Sequence, residues 1–426
     1  MNSNHLIESE VKISTNIFSN QPYHIVFVSQ EYPPSLRAGG IATYVQESAL
    51  SLVKNGFRVT VICASDDTRL QSNYTEYGIN IIRLSGGDFF LEQIEKKSFF
   101  IKKLRFIYRF FPYRFKIKKT IESLSEVSII EVPEYGAEGL FLFSLDLPMV
   151  VRLHCPMLLD GASNQVKRLS LRNFHHYWRG LIEFEIVKKA KYVISVSESL
   201  KSFYVNKVGI NAHKIKTIYN AIDTENLWQN NPVEIPEDTI PTVLFVGSVI
   251  PIKGVAELIE AFRLLNAKGT KIKLVLAGKV NNKFAEDLQK QIKSERIDDI
   301  IFLGHLNRKE LEMLYARATI CCLPSWSEGL PFVCLEAMRA GCVVIGSSNG
   351  GMTEIIEEAK DGILCLPQNA AYLAHKIEEV LRLSYTERLN IGENAKKKIF
   401  QKFSSTVIAK ENIDYYLSML HSSKKK

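Results

Sequence analysis

Two glutamates, Glu328 and Glu336, frame the chemistry this sequence can do. Seven residues separate them within the stretch Ser325 to Gly351, SWSEGLPFVCLEAMRAGCVVIGSSNGG. The apolar run Ile320 to Leu323 reads as a buried strand ending at Pro324, and the polar loop Ser325 to Gly329 follows. Pro331 sits where a helix begins, because its fixed φ suits the first turn and its missing N–H costs nothing there. Phe332, Leu335 and Met338 supply an apolar stripe to about Ala340, Gly341 ends the helix, and Val343 to Ile345 is the next strand. Glu328 therefore lies in the loop just before a helix start, and Glu336 roughly two turns into the helix. Open amides at a helix start bind anions, whereas a carboxylate accepts hydrogen bonds from hydroxyls. Together they suit a ligand carrying both phosphate and sugar. Ser325 and Glu328 also match the spacing of a capping box, but that pattern puts Gly329 and Pro331 inside the helix, where proline costs about 3 kcal/mol. A lone Glu336 is ordinarily a solvated helix face. The pair in this context is what lifts both above the ordinary reading.

Further positions join them. His24 to Ser29 is a strand, the loop Gln30 to Thr43 carries Gly39 and Gly40, a helix ends at Gly56, and Val59 to Ala64 is the next strand. This βαβ opening has its Gly-Gly at the carboxyl end of the first strand, where doubly wound sheets place ligands. Gly39 and Gly40 let the backbone approach a phosphate or sugar closely, though any turn uses such a pair. His154 stands directly after the strand Val150 to Leu153 and faces the same crevice, unless it is bonded within its own loop. Lys253 lies in the loop Gly247 to Gly254, after one strand and before a helix start. It is placed there to pair with a phosphate as a point charge, although a lone lysine is commonly solvated.

These positions require two scaffolds. In the first half, strands are expected at Ser128 to Pro133, Val150 to Leu153, Tyr192 to Ser197 and Lys216 to Tyr219, with helices at Lys167 to Lys191 and Glu198 to Val208. Residues 223–241 lack periodicity and hold Pro232, Pro236 and Pro241, which marks an interdomain linker. The alternation then restarts with strands at Thr242–Val246, Ile272–Ala277, Ile300–Leu303, Ile320–Leu323, Val343–Ile345 and Ile363–Leu366. The expected architecture is α/β with two doubly wound domains, 1–222 and 242–403. The last helix, within 404–426, has no strand after it and is expected to pack back on the first domain.

Composition bounds the rest. The chain has 426 residues, 46% hydrophobic and 23% charged, with a net charge of +8. Its seven cysteines mostly sit in apolar stretches with no Cys-x-x-Cys, which fits reduced thiols in a cytosolic protein better than disulfides or zinc. The N-terminus is polar, without a secretory apolar region. The longest apolar stretch, Gly139 to Val151, is broken by Asp146 and Pro148 and is too short to span a bilayer. Lys96 to Lys119 differs in character, with ten Lys or Arg, eight Phe or Tyr and no acid. A basic, aromatic helix suits an anionic membrane surface. The competing reading is a pair of domain helices with aromatic core faces and snorkelling lysines. Nucleic acid is not expected, because no binding motif accompanies the charge.

In sum these residues resemble family 4 of the retaining glycosyltransferases, which have the GT-B fold of two Rossmann-like domains facing a central cleft. The resemblance runs from about His24 to Leu420. It is carried by Glu31-Tyr32-Pro33-Pro34 with Gly39-Gly40, His154, Asn220 to Asp223, Gly247 with Lys253-Gly254, Glu328 through Glu336, and Gly350-Gly351 with Glu354. It implies that the first domain takes the acceptor and the second a nucleotide-sugar. Glu328 is then similar to the glutamate that meets donor-sugar hydroxyls near the anomeric centre, and Glu336 to the one that holds the ribose. Gly329, Leu330 and Pro331 place amides near sugar and phosphate, and Lys253 resembles the diphosphate lysine. Gly39 and Gly40 resemble the loop that closes on the donor, and His154 the histidine beside the transferred sugar. Family members often carry Arg directly after the glycine matching Gly247. Here it is Ser248, which leaves Lys253, or another cation such as Arg152, to carry that charge. The resemblance implies transfer with retention to a glycan or lipid-linked acceptor, at the inner membrane face, with no metal and no other cofactor. A nucleotide-sugar epimerase or phosphorylase of the same fold, or a non-catalytic binding relative, are the competing readings.

Overall fold

The computed structural model describes residues 22–35, 39–67, 70–87, 99–161, 163, 165–169, 174–224, 240–280, 282–295 and 297–424. Most of the expected linker, at 225–239, lies outside the described residues, as do Lys96 and Lys97.

The first half opens with β1 (His24–Val28), α1 (Gly40–Lys54), β2 (Arg58–Ala64), β3 (Ser72–Glu76) and β4 (Ile79–Leu84). It continues with α2 (Phe99–Glu122), β5 (Val127–Pro133), β6 (Met149–Leu153) and the two-residue strands β7 (Leu159–Asp160) and β8 (Gln165–Val166). The helices α3 (Phe174–Lys189) and α4 (Glu198–Phe203) flank β9 (Tyr192–Ser195), and β10 (Ile215–Thr217) follows. Eight of these strands form one sheet in the order β10-β9-β6-β5-β1-β2-β4-β3. All pairings are parallel except β3 with β4. The central strands are buried along their whole length, β1 and β6 among them, as expected of parallel strands covered on both faces.

The second half holds β11 (Thr242–Val246), α5 (Val255–Ala267), β12 (Lys273–Ala277), α6 (Lys283–Ser294), β13 (Ile300–Gly304) and α7 (Arg308–Arg317). Then come β14 (Ile320–Leu323), α8 (Phe332–Arg339), β15 (Val343–Ser347), the short α9 (Met352–Ile355) and β16 (Ile363–Cys365). Its six strands form a parallel sheet in the order β13-β12-β11-β14-β15-β16. The helices α10 (Ala370–Arg382), α11 (Tyr385–Lys398) and α12 (Ser405–Lys424) close the chain.

Three regions differ from the sequence expectation. The helix expected from Lys167 starts only at Phe174, because Lys167 donates its backbone N–H to Leu158 O (2.8 Å) and closes the small β7–β8 hairpin instead. The β3–β4 hairpin was not anticipated. Its turn is Tyr77-Gly78, both at positive φ, the two-residue geometry that suits strand twist. The third is α2, which is one helix with Pro112 inside it, and its second half faces inward. Phe110, Tyr113, Arg114, Ile117 and Ile121 are buried, while Phe115 and Lys119 stay outside. No helix among the described residues is long and apolar enough to cross a membrane.

The last helix, α12, packs against α1 of the first half. A buried polar network pins it there. Glu131 takes Arg152 Nε at 2.8 Å and the hydroxyls of Tyr44 and Tyr416 at 2.5 Å each, and Arg152 also donates to Asn412 Oδ1 at 2.6 Å. Arg152 is thus a buried structural cation and not a reserve for a diphosphate, which corrects the sequence expectation.

Candidate active site

The loop from Pro324 to Pro331 leaves the end of β14 and enters α8. Its path is fixed by backbone bonds to its neighbours. Trp326 N donates to Ile252 O (2.8 Å), and Gly351 N donates to Glu328 O (2.9 Å). Asn349 Nδ2 donates to Trp326 O (2.6 Å). Gly350 has φ of 79°, and a Cβ on it would strike the backbone of Glu328. Only glycine adopts that conformation at no steric cost.

Glu328 bonds the ammonium of Lys253 and accepts the Ser325 hydroxyl at 3.0 Å. The Ser325 contact is side chain to side chain within the loop. The cap of α8 is Pro331, which makes no side-chain cap bond, so no capping box forms. Lys253 ends a short helical turn, Pro251–Lys253, with Gly254 in the left-handed conformation behind it. The pair is partly exposed, 30% for Lys253 and 18% for Glu328. A solvated ion pair of this kind adds little to stability. Its two opposite charges can therefore be traded for a ligand, the ammonium to an anion and the carboxylate to hydroxyls. Gly247 and Ser248 begin the same loop at the end of β11, where Gly247 N donates to Ala277 O (2.9 Å).

Glu336 is the fifth residue of α8, little more than one turn in rather than two. Its carboxyl is half-buried, and burial raises its pKa above the ordinary value. Tyr315 Oη donates to it at 2.9 Å and, with the nearby Arg339 and Arg308, works in the opposite direction.

His154 is buried at the end of β6. Its backbone N–H donates to both oxygens of Glu134 (2.7 and 2.8 Å), and Cys155 N–H donates to the same carboxylate (2.7 Å). A second buried acid, Glu183, takes the N–H of Gly136 (2.8 Å) and of Met157 (2.9 Å). Two carboxylates therefore grip the chain at the histidine and just after it. Burial, with the Glu183 charge next, pushes Glu134 up to about 8. Burial likewise pushes Glu183 up to about 7. The His154 imidazole goes the other way. Burial and then the Arg152 charge hold it down to about 3, and its ring packs on Tyr44 with centroids 5.0 Å apart. It is neutral at any physiological pH and can act by hydrogen bonding, not as a cation.

The two halves meet here. A Cβ on Gly329 would run into the carbonyl oxygen of His154. Asn220 Nδ2 donates to Leu330 O (2.9 Å), and Glu354 accepts the N–H groups of Glu198 and Ser199 (2.8 Å each). Gly40 lies 3.8 Å, measured from its would-be Cβ, from the ring of Phe332 at the start of α8. The carboxyl ends of the two sheets thus face one another, with Glu328, Gly329, Lys253 and His154 together and Gly39-Gly40 opposite the α8 start.

Helix starts carry a pattern of their own. Ser197, Asn282, Asn307, Asn369 and Ser384 cap α4, α6, α7, α10 and α11 with their side chains. The starts of α1, α5, α8 and α9, at Gly39, Gly254, Pro331 and Gly351, have no side-chain cap. These four follow the inner strands β1, β11, β14 and β15, although β9 and β12 are also inner and the helices after them, α4 and α6, are capped. Uncapped helix starts lack side-chain acceptors for their first backbone donors, as anion sites require, although Gly351 N at the α9 start is already bonded to Glu328 O. Among the described residues no cluster of His, Cys, Asp or Glu is arranged to hold a metal ion.

Sequence reasoning missed Tyr315, Glu134, Glu183 and Arg308. Glu134 was findable, since it ends β5 just as His154 follows β6. Glu183 sits on a helix beside apolar residues, and nothing in its local pattern sets it apart. Arg308 opens α7 and reaches Glu47 of α1 at 3.2 Å, a contact visible only in three dimensions.

Comparison with known proteins adds the family. The model of Glycosyltransferase Family 4 matches residues 38–226, and that of Glycosyl transferases group 1 matches 228–398. An uncharacterized glycosyltransferase of Methanocaldococcus jannaschii is 28% identical over 413 residues, 92% of this chain and 97% of that one. A glycogen synthase of Mycobacterium tuberculosis is 25% identical over 374 residues, 84% of this chain and 86% of that one. Among solved structures, sucrose-phosphate synthase from Thermosynechococcus elongatus superposes with a TM-score of 0.76 at 22% identity, covering 94% of this chain and all of that one (100%). The Anabaena protein HepE in complex with UDP-glucose superposes with a TM-score of 0.71 at 20% identity, covering 93% and 99%.

Proposed function

Because the chain belongs to the family 4 glycosyltransferases of GT-B fold, we propose that it moves a sugar from a nucleotide-sugar to a glycan or lipid-linked acceptor with retention at the anomeric carbon. The observation that carries the reading is the partly exposed Lys253–Glu328 pair set beside the uncapped start of α8. When donor enters, Lys253 leaves the carboxylate for the diphosphate, and Glu328 accepts hydrogen bonds from the sugar hydroxyls. Glu336, steadied by Tyr315, takes the ribose hydroxyls. The N–H groups of Gly329, Leu330 and Phe332, and that of Gly40, meet the phosphates from the two domains. Catalysis then rests on positioning and on neutralising the charge that develops on the departing diphosphate. The leaving group needs no general acid and can itself receive the acceptor proton. His154, being neutral, offers its imidazole as a hydrogen-bond partner to the transferred sugar. No metal is assigned a role, and cell-surface polysaccharide or glycoconjugate synthesis is the setting that a lipid-linked acceptor implies. Peripheral contact with the inner face of the membrane is assigned to 96–119. It draws support from Phe115 and Lys119, which remain outside on α2 while Phe110, Tyr113, Arg114, Ile117 and Ile121 are buried.

The test begins with binding. Thermal unfolding is measured against nucleoside diphosphates and nucleotide-sugars, uridine first, since the related HepE structure holds UDP-glucose. Ligand at 100 times its dissociation constant stabilises the folded protein by about 2.7 kcal/mol. The Glu328→Ala variant is expected to keep nucleotide binding and to lose roughly 100-fold or more in transfer rate. Wild-type turnover in that variant, or no thermal shift with any nucleotide, refutes the reading.

A further inference from the structure

A second basic site lies outside the machinery just described. A cavity of about 810 Å³ opens on the first domain beside the β7–β8 hairpin, within the size range of small-molecule sites. It is lined by Lys167, Arg168 and Lys207 against a single acid, Asp160, with Ser163 and Gln165 between them. Ser163 donates its hydroxyl to Asp160 at 2.7 Å, and Lys167 Nζ bonds Met157 O at 3.1 Å. One arginine and two lysines lining a polar cavity are residue types that recognise phosphate.

The cavity adjoins the reaction centre. Gly161, in the hairpin turn, abuts the second domain so closely that a Cβ on it would lie 2.9 Å from Ile252 and 3.4 Å from Ser327, the neighbour of Glu328. A molecule seated in the basic cavity therefore lies beside the domain junction that carries Ser327 and Glu328. The donor diphosphate already has its own cation, Lys253, on the opposite domain.

We infer that this cavity binds a phosphate or diphosphate group of the acceptor, so that the acceptor is a phosphorylated molecule and not a neutral glycan. The inference rests on the glycosyltransferase reading and names its acceptor class.

The probe is inorganic phosphate, titrated calorimetrically into the full-length protein saturated with the nucleoside diphosphate found above, so that the donor site is filled. Two single variants, Arg168→Glu and Lys207→Glu, are compared with wild type; both side chains are exposed, and each variant's nucleotide affinity reports its fold. Saturable phosphate binding is expected in wild type and at least tenfold weaker binding in each variant, with nucleotide affinity unchanged. Absence of phosphate binding in wild type, or equal binding in all three, overturns the inference while leaving the glycosyltransferase reading intact. If no nucleotide binds at all, that reading fails and the acceptor site falls with it. A free-anion regulator is separated from an acceptor subsite by acceptor-independent hydrolysis of the donor. Phosphate is expected to leave that rate unchanged, and a rate that tracks phosphate concentration overturns the acceptor assignment.

Discussion

The residues that touch ligand are outnumbered by those that hold them in place. His154 is positioned through its backbone by Glu134, and Cys155 and Met157 are held by Glu134 and Glu183. Both acids are buried with folded-state pKa values above the ordinary 4.5, about 8 for Glu134 and about 7 for Glu183. In the window between 4.5 and those values the folded state binds more protons than the unfolded chain. Their contribution to stability is therefore greatest below pH 4.5 and is lost as pH rises toward 8. Glu134→Gln keeps an oxygen for the His154 and Cys155 amides but removes the titration. The difference in melting temperature between wild type and Glu134→Gln is expected to shift in favour of the variant as pH rises from about 5 to 8. Melting curves taken across that range check it, and parallel curves would mean that Glu134 does not titrate there. His154 contributes the opposite slope in both proteins, because its folded pKa lies below its unfolded one, and so cancels from the comparison.

At the scale of elements, function shows in what the helices lack. Ser or Asn caps five of the helices, whereas Gly39, Gly254, Pro331 and Gly351 stand at the starts of α1, α5, α8 and α9 without a side-chain cap. Gly39, Gly254, Pro331 and Gly351 were each singled out in the sequence, but not as a set of uncapped helix starts, since that takes the helix bounds to see. The positions of the second domain's six strands were also accessible, since uniformly apolar parallel strands announce themselves; their order in the sheet was not. The β3–β4 hairpin and the β7–β8 hairpin were not. The exposed polar strand β3 lacks an apolar face, and two-residue strands carry no period at all. Arg152 misled for a related reason. A cation at a strand's carboxyl end can face the crevice or the sheet's other neighbours, and only packing against α12 decides. The loop carrying Glu328 depends on a distant element, the Gly350-Gly351 turn. Gly350→Ala forces a side chain into the Glu328 backbone from a left-handed conformation, and a displacement near 1 Å at a catalytic carboxylate costs roughly 100-fold in rate. The expected outcome is a fall in kcat/KM of that order with the circular dichroism spectrum unchanged. Wild-type kinetics would show that the turn does not position Glu328.

Over the whole molecule, the two domains are joined by side chains that each satisfy a partner across the crevice. The chain crosses between them twice, near Ile222 and near Ser404. The crossings bond each other, Ile222 N to Phe403 O and Ser405 N to Ile222 O, both at 2.9 Å. Such a doubled crossing resists separation but allows the domains to turn about it. What fixes the angle lies elsewhere, in Glu354 on the α4 start, Asn220 on Leu330 and Arg308 on Glu47. Glu354 makes the largest single contribution in hydrogen bonds, because one carboxylate satisfies two backbone donors at a positive helix end, an arrangement worth about 1–3 kcal/mol. Glu354→Ala removes that clamp without touching Glu328, Lys253 or Glu336. The domains are then expected to spend more time apart. The radius of gyration from small-angle scattering should rise in the absence of ligand and fall again when nucleotide-sugar is added. The donor KM should increase roughly 5- to 100-fold, while the rate at saturating donor changes less, because binding energy is diverted to closing the cleft. A variant whose scattering matches wild type without ligand would show that Arg308 and Asn220 hold the angle by themselves.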